Sequence, residues 1–342
     1  MKKLLYRVQR RAVSSVLALS MAFGFCYEAF PKTKQVSADG ASTESVADDG
    51  VINYVSIGDS MTNGYGFAGY RQGGYQAGDS FQEGNGVYGD ASYANQFASW
   101  LDGLDERTVE HDKLAVSALR AEDLLYLLDG RDMPTDGWFD QVINYSGVGT
   151  EYGFATVEEL KEYYIESVEE ADIISLCIGN ASFGAYLVQY VTGVIGVMNA
   201  TLPENEIVTL EDALVLVEDE EVKEIVLEVY DMLLDELYEV VSEELAVEYS
   251  LDKVADVVAY CAAGFMVNYL GVIEKIIELN PDVEIVLLGL MNTTHGLTIT
   301  NGDAKINIGD IMDETFGLLN TYIAGVPTAL KLAKKTEDVK FY

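Results

Sequence analysis

Short apolar runs alternate with longer stretches of helical periodicity along most of the chain. The β-branched run from Val51 to Ile57 has the length and composition of a buried strand. Further strands are predicted over Lys113 to Ser117, Ala171 to Ile178 and Val283 to Leu290, and the last is apolar almost throughout, as strands of parallel sheets are. Val339 to Tyr342 is expected to open a fifth strand.

Helices are predicted between and after these strands, where apolar residues recur every three or four positions. The segments are Ala91 to Leu101, Ala121 to Leu128, Val157 to Glu170, Ile311 to Tyr322 and Thr328 to Lys335. Strands that alternate with helices through long connections are typical of a doubly wound parallel sheet. We therefore predict an α/β fold with a three-layer, doubly wound parallel sheet, in one domain because no linker is visible.

A long helical region between Tyr186 and Leu279 interrupts this alternation. Acidic residues flank its apolar stripe, which comprises Val222, Ile225, Val226, Val229, Leu233 and Leu237. We interpret residues 186–280 as a helical insertion packed on the edge of the core. The alternative is a cap that shapes a ligand cleft, since the region begins shortly after Asn180.

The N-terminus has the pattern of a secretory signal peptide over residues 1–38. A basic segment precedes an apolar run of fourteen residues from Ala12 to Phe25, and Val36-Ser37-Ala38 supplies small residues for cleavage. Lipidation of Cys26 is disfavoured because the bulky Phe25 precedes it. We expect a secreted or cell-surface protein with no integral membrane segment after cleavage, in which residues 39–50 form a flexible lead-in.

Charge and cysteine content limit the partners and cofactors. The formal net charge is −36, and removal of residues 1–38 takes away seven basic residues and one acidic residue, giving −42. Such a surface repels nucleic acids and anionic membranes, so no nucleic-acid partner is expected. Cys177 and Cys261 lie in apolar contexts and are interpreted as buried small hydrophobes rather than metal ligands or a disulfide. No cofactor is expected.

A hydroxyl group follows the first predicted strand directly. Val51 to Ile57 ends at Gly58-Asp59-Ser60, and the carboxyl end of a central strand is where open α/β sheets bind ligands. The same tripeptide also fits an ordinary strand-to-helix turn, in which Asp59 or Ser60 caps the helix. The tripeptide alone does not decide between these interpretations.

Three segments together resemble the SGNH (GDSL-type) hydrolase family. Tyr54 to Gly64 resembles the family's first block, Leu114 to Leu124 its second and Ile178 to Ala181 its third, in the family's order and after successive strands. The resemblance covers residues 51–342 outside the helical insertion. The resemblance implies a domain with the SGNH-hydrolase, flavodoxin-like fold. It also implies that the protein is a serine esterase that uses no metal or cofactor.

The resemblance also implies a role for one residue of each block. Ser60 corresponds to the nucleophile, and the amide of Asn180 would donate a hydrogen bond to the oxyanion. Ala118 stands where the family usually has a glycine whose backbone N–H is a second donor, and Ala181 replaces the usual aspartate after Asn180. Taken singly, Ala118 and Asn180 also fit ordinary turn positions.

The base of the catalytic triad is the missing part of this pattern. The family places D-x-x-H after its last strand, and this chain ends at Val339-Lys340-Phe341-Tyr342 before such a motif, so we interpret the hydrolase domain as C-terminally incomplete. His295, in Asn292-Thr293-Thr294-His295, is a substitute base, a substrate contact or a surface residue. His111 is expected before the second strand, at the wrong edge of the sheet.

The sequence thus predicts a secreted esterase that cleaves acyl esters of carbohydrates, lipids or small molecules. Aromatic residues between Tyr65 and Gly89 would either stack on a sugar or aryl group or pack the loop on itself. A non-catalytic binding module that has lost its base is the alternative. A nucleotide site at Gly64 to Gly69, which matches G-x-G-x-x-G, is disfavoured because the match begins seven residues past the strand.

Overall fold

The computed structural model describes residues 50–65, 67–69, 88–104, 107–145, 156–183, 208–240, 251–292, 298–301 and 304–332. The predicted signal peptide, the lead-in before residue 50, the aromatic loop over most of its length, His295 and the predicted fifth strand therefore lie outside the described residues. In the described part, the predicted α/β class with a parallel sheet is confirmed.

Four parallel strands form the central sheet in the order β2-β1-β3-β4. They are β1 (Val51–Gly58), β2 (Thr108–Ala115), β3 (Ile173–Cys177) and β4 (Glu284–Leu287). The prediction of β2 was wrong at its start, which lies five residues earlier than Lys113. The missed residues 108–112 are polar except for Val109, so no apolar run marks this part of the strand.

Helices connect and follow these strands. They are α1 (Ser60–Asn63), α2 (Tyr93–Asp102), α3 (Ala121–Leu127), α4 (Trp138–Tyr145), α5 (Val157–Glu169), α6 (Leu210–Leu216), α7 (Glu220–Val240), α8 (Leu251–Leu279) and α9 (Ile308–Leu332). An antiparallel hairpin of β5 (Thr298–Asn301) and β6 (Ala304–Asn307) precedes α9. The hairpin and α4 were not predicted from the sequence.

The two helices predicted near the C-terminus are one continuous helix, α9, which contains Pro327. The prediction of two separate helices was wrong here, although proline removes a backbone hydrogen bond from a helix interior. The buried residues nevertheless keep one helical stripe across the proline: Met312, Phe316, Leu319, Ile323, Val326 and Leu330. Packing of this stripe outweighs the local cost of Pro327.

One face of the sheet is apolar and belongs to the main core. Val55 and Ile57 of β1 lie in register with Ile174 and Leu176 of β3, and all four are buried in a single cluster with residues of α3, α5 and α8. The hydroxyl of Tyr164, on α5, donates to the carbonyl oxygen of Leu114 at 2.8 Å. This face fixes the register of the strands through their alternating side chains.

The opposite face carries a buried polar network. The hydroxyls of Tyr54 and Ser175 are 2.7 Å apart, and Ser56 Oγ lies 2.9 Å from His111 Nε2 and 3.2 Å from the hydroxyl of Tyr88. The His111 ring stacks on Tyr54, and burial lowers the pKa of His111 to about 3. The expectation that His111 precedes the strand was wrong, because it lies within β2 as a neutral member of this network.

Helix α8 is a core element that leads into β4. It packs against α3, α5, α6, α7 and α9. By length and composition alone its segment Ala255–Leu279, with a mean hydropathy of 1.5, could cross a membrane, but 61% of that segment's most apolar window is buried inside the protein, as in the core helix of a globular domain. The assignment of residues 186–280 as an insertion stays a prediction.

Candidate active site

The carboxyl ends of three neighbouring strands place the three candidate residues at one edge of the sheet. Gly58 at the end of β1 is in register with Ala115 of β2 and with Cys177 of β3. Ser60 follows Gly58 by two residues, while Ala118 and Asn180 follow their strand partners by three. The loops that carry the candidate residues therefore leave the sheet side by side.

Hydrogen bonds tie these loops together. The backbone N–H of Asp59 donates to the carbonyl oxygen of Cys177 at 3.3 Å, and Asn63 Nδ2 donates to Ser117 Oγ at 3.0 Å. A Cβ at Gly58 would overlap the hydroxyl of Thr62 and the carbonyl oxygen of Cys177. Glycine at this position thus allows the Ser60 turn to lie against β3.

Ser60 is the first residue of α1, and its side chain is partly exposed. Asp59 is the N-cap, and its Oδ1 accepts from the N–H of Met61 at 3.0 Å. The strand-to-helix turn expected as the ordinary interpretation is therefore present, with Asp59 as the cap. Asp59 makes the capping hydrogen bond, and the Ser60 hydroxyl makes no hydrogen bond to any residue in the described ranges, so the turn is compatible with a nucleophile at Ser60.

Asp59 also links the Ser60 turn to the Asn180 turn. Its Oδ2 accepts from the N–H of Ala181 at 3.4 Å, and the backbone N–H groups of Gly179 and Asn180 also stabilise its charge. The carboxyl group is fully buried, and desolvation raises its pKa from 3.8 to about 6 despite these donors. One buried carboxylate therefore sets the spacing of two candidate catalytic loops.

Ala118 adopts the left-handed conformation that its glycine counterpart in the resembled family would favour. Its φ is 69°, a region that costs non-glycine residues about 1 to 2 kcal/mol. The indole N–H of Trp138 donates to the Ala118 carbonyl oxygen at 3.0 Å. Neither Ala118 nor Ser60 makes a hydrogen bond through its backbone N–H to any residue that the structure describes.

Asn180 is buried, with 8% of its surface exposed, and opens a helical turn after β3. Within the described ranges neither its Nδ2 nor its Oδ1 has a hydrogen-bond partner. A buried unpartnered amide costs about 1 to 3 kcal/mol, so such groups call for an explanation. An amide that awaits an acceptor on a ligand is one such explanation.

Arg120 locks the loop that carries Ala118. Its backbone N–H and Nε both donate to Asp123 Oδ2 at 3.0 Å, and its Nη1 and Nη2 donate to Asp136 at 2.5 and 3.1 Å. The side chain of Arg120 is 1% exposed. Sequence reasoning missed this residue, although the spacing of Arg120 and Asp123 at the start of α3 is that of an N-terminal cap.

No base for Ser60 is found among the described residues. His111 is the one histidine in this part of the chain, and it is bound to Ser56 within β2. Cys177 and Cys261 are free and buried, as predicted, and burial raises the pKa of both thiols, which makes them poor nucleophiles. His295 lies outside the described residues.

Comparisons with known proteins give little beyond this geometry. No protein-family model matches the sequence, and no curated protein is significantly similar to it. Two solved structures align with 85% of this chain and 79% of their own: the lipase Lip_vut3 from a goat rumen metagenome, at 15% identity, and an extracellular lipase from Streptomyces rimosus, at 13% identity. Both TM-scores are 0.34, which is low for a shared fold.

Replacement of Ala118 tests the backbone conformation of its loop. We expect Ala118→Gly to raise the free energy of unfolding by up to about 1 kcal/mol, because glycine tolerates positive φ. Ala118→Val should lower it, because β-branched residues tolerate this region poorly. Chemical denaturation of both variants measures the effect, and a destabilised glycine variant would contradict the assigned backbone conformation.

Replacement of Asp59 tests the buried carboxylate. A raised pKa means that the folded protein binds the Asp59 proton more tightly than the unfolded chain does. The stability that this proton contributes is fully present below pH 3.8 and is lost as the pH rises through about 6. Between about pH 5 and pH 8 the unfolding free energy of the unmodified protein should fall, relative to Asp59→Asn, by roughly 1 to 2 kcal/mol. Denaturation curves across this range measure the difference, and a pH-independent difference would show that Asp59 titrates normally.

Proposed function

We propose that the protein is a secreted serine ester hydrolase with an active site of the SGNH type. The observation that carries the proposal is the buried side chain of Asn180, which has no partner among the described residues and lies at the same sheet edge as Ser60. A three-layer arrangement with helices on both faces of the sheet, as in the resembled family, belongs to this proposal. So does the assignment of residues 1–38 as a signal peptide.

In the proposed reaction Ser60 Oγ attacks the carbonyl carbon of an acyl ester. The backbone N–H groups of Ser60 and Ala118 and the side-chain amide of Asn180 donate to the oxyanion of the tetrahedral intermediate, which collapses as the alcohol leaves. Water then attacks the acyl-enzyme, and release of the carboxylic acid restores the Ser60 hydroxyl. Preorganised donors of this kind do not reorient during the reaction, because their loops are already fixed to the sheet.

The proton of Ser60 requires a base that the described residues do not supply. Within this sequence the candidate is His295, which follows β4 along the chain in Asn292-Thr293-Thr294-His295. An asparagine at the first position of this motif would orient the imidazole without the charge of an aspartate. We therefore propose weaker general-base catalysis than a complete triad gives.

A second candidate function is a binding module that keeps the cleft and does not turn over. One observation favours it: the single histidine among the described residues is held in the polar network of β2, where Ser56 Oγ lies 2.9 Å from its Nε2. In that case Asn180 would donate to a bound ligand rather than to a transition state.

The range of substrates comprises acyl esters of carbohydrates, lipids and small molecules. The strongly acidic composition disfavours anionic lipid surfaces and nucleic acids as partners. No metal or cofactor is part of the proposed reaction.

Replacement of Ser60 separates the two functions. We expect the full chain to hydrolyse p-nitrophenyl acetate, and Ser60→Ala to reduce the rate to the uncatalysed background because it removes the nucleophile. The matched control is Ser99→Ala, which changes an exposed serine whose hydroxyl donates to the Asn95 carbonyl oxygen of its own helix. Release of p-nitrophenol measures all three rates.

Unchanged hydrolysis by Ser60→Ala would exclude Ser60 as the nucleophile. A full chain that binds the ester but does not hydrolyse it would favour the binding module.

A further inference from the structure

A second feature of the same sheet edge is a cavity of about 220 Å³ between α3, α8 and the loop that precedes α4. Its lining includes Arg120, Glu122 and Arg131, together with Tyr260 of α8. Leu216 at the end of α6 is 39% exposed, so the cavity reaches the surface. Its volume is below that of typical drug-sized sites, which suits one small ring.

The cavity adjoins the proposed oxyanion donors. Arg120 and Ser182, which both line it, follow Ala118 and Asn180 by two residues, a separation that spans at most about 7 Å of chain. Ser182 Oγ accepts from the N–H of Ala121 at 3.2 Å, so the two loops meet at this wall. A group bound here would be attached close to an ester held at Ser60.

The walls of the cavity favour a neutral ligand. The guanidinium of Arg120 is satisfied by the carboxylates of Asp123 and Asp136. Glu122 Oε1 lies 3.2 Å from Arg120 Nη1, and Glu122 and Asp136 both line the cavity, so their carboxylates oppose an incoming anion. The guanidinium of Arg131, held by Asn268 Oδ1 at 2.7 Å, equally opposes a cation.

One buried acceptor in the cavity calls for a donor. Glu122 Oε2 is buried, and no residue in the described ranges gives it a hydrogen bond. Desolvation also raises the pKa of Glu122, which reflects the cost of an incompletely solvated carboxylate. A hydroxyl group can donate to this oxygen and accept from Arg131, while the Tyr260 ring can cover the carbon face of a sugar.

We propose that this cavity binds a neutral polyhydroxylated group, a single sugar ring, as the sugar part of the ester that Ser60 cleaves. The link to hydrolysis rests on the proposed function, whereas binding of the sugar does not. Glu122 is the principal acceptor, and Leu216 borders the entrance.

Isothermal titration calorimetry with the full chain tests the proposal. The probes are methyl β-D-xyloside, methyl β-D-glucoside and N-acetylglucosamine, none of which carries a cleavable ester. We expect saturable binding of at least one of them. Glu122→Gln should weaken it about tenfold or more, because a hydrogen bond to a charged acceptor is lost.

Two further variants keep the result interpretable. Leu216→Trp places a large side chain at the entrance without disturbing the core, and it should abolish binding even if Glu122→Gln fails to fold. Glu158→Gln, an exposed change on α5, should bind as the unmodified protein does. Thermal unfolding establishes that each variant is folded.

Absence of binding for all three sugars would overturn the proposal, as would unchanged affinity in Leu216→Trp. Ser60→Ala should bind the sugars like the unmodified protein, so the cavity is tested separately from catalysis. If the protein binds a sugar but does not hydrolyse esters, the cavity is supported as a sugar-binding site and only the proposed function is refuted.

Discussion

The buried carboxylate of Asp59 is the interaction on which the candidate site depends. It caps the turn that presents Ser60 and accepts from the N–H of Ala181, in the turn that presents Asn180. The parallel register of β1 and β3 brings these turns together, and the carboxylate fixes their spacing. Burial of Asp59 costs free energy because it removes water from the charged carboxylate. The backbone N–H donors around Asp59 offset part of this desolvation cost.

Two further features at this edge of the sheet reduce the stability of the fold. Ala118 occupies a backbone region that favours glycine, and the Asn180 amide has no partner in the described part of the chain. Strain and unsatisfied polar groups of this kind concentrate at functional sites, because the surrounding structure must hold them in place. Here the Arg120 network and the Trp138 hydrogen bond hold the Ala118 loop.

The sequence predicted what local patterns determine. The apolar runs located β1, β3 and β4, and the motif at Gly58 placed a serine directly after the central strand. The start of β2 was missed because its first five residues are polar except for Val109. The continuity of α9 across Pro327 was missed because packing of a long buried stripe decides it.

The supporting contacts of the site could not be predicted for a different reason. Asp59 meets Ala181 across 122 positions, and Arg120 meets Asp136 across 16. Such contacts depend on strand order and loop direction, which composition and periodicity do not encode. The cavity beside Glu122 is a consequence of the same tertiary arrangement.

A crystal structure of the full chain after reaction with a fluorophosphonate tests the central claim most directly. The account predicts a phosphonyl group on Ser60 Oγ, with its oxygen about 3 Å from the N–H groups of Ser60 and Ala118 and from Asn180 Nδ2. A phosphonyl oxygen that points to solvent, with the Asn180 amide turned away, would contradict it.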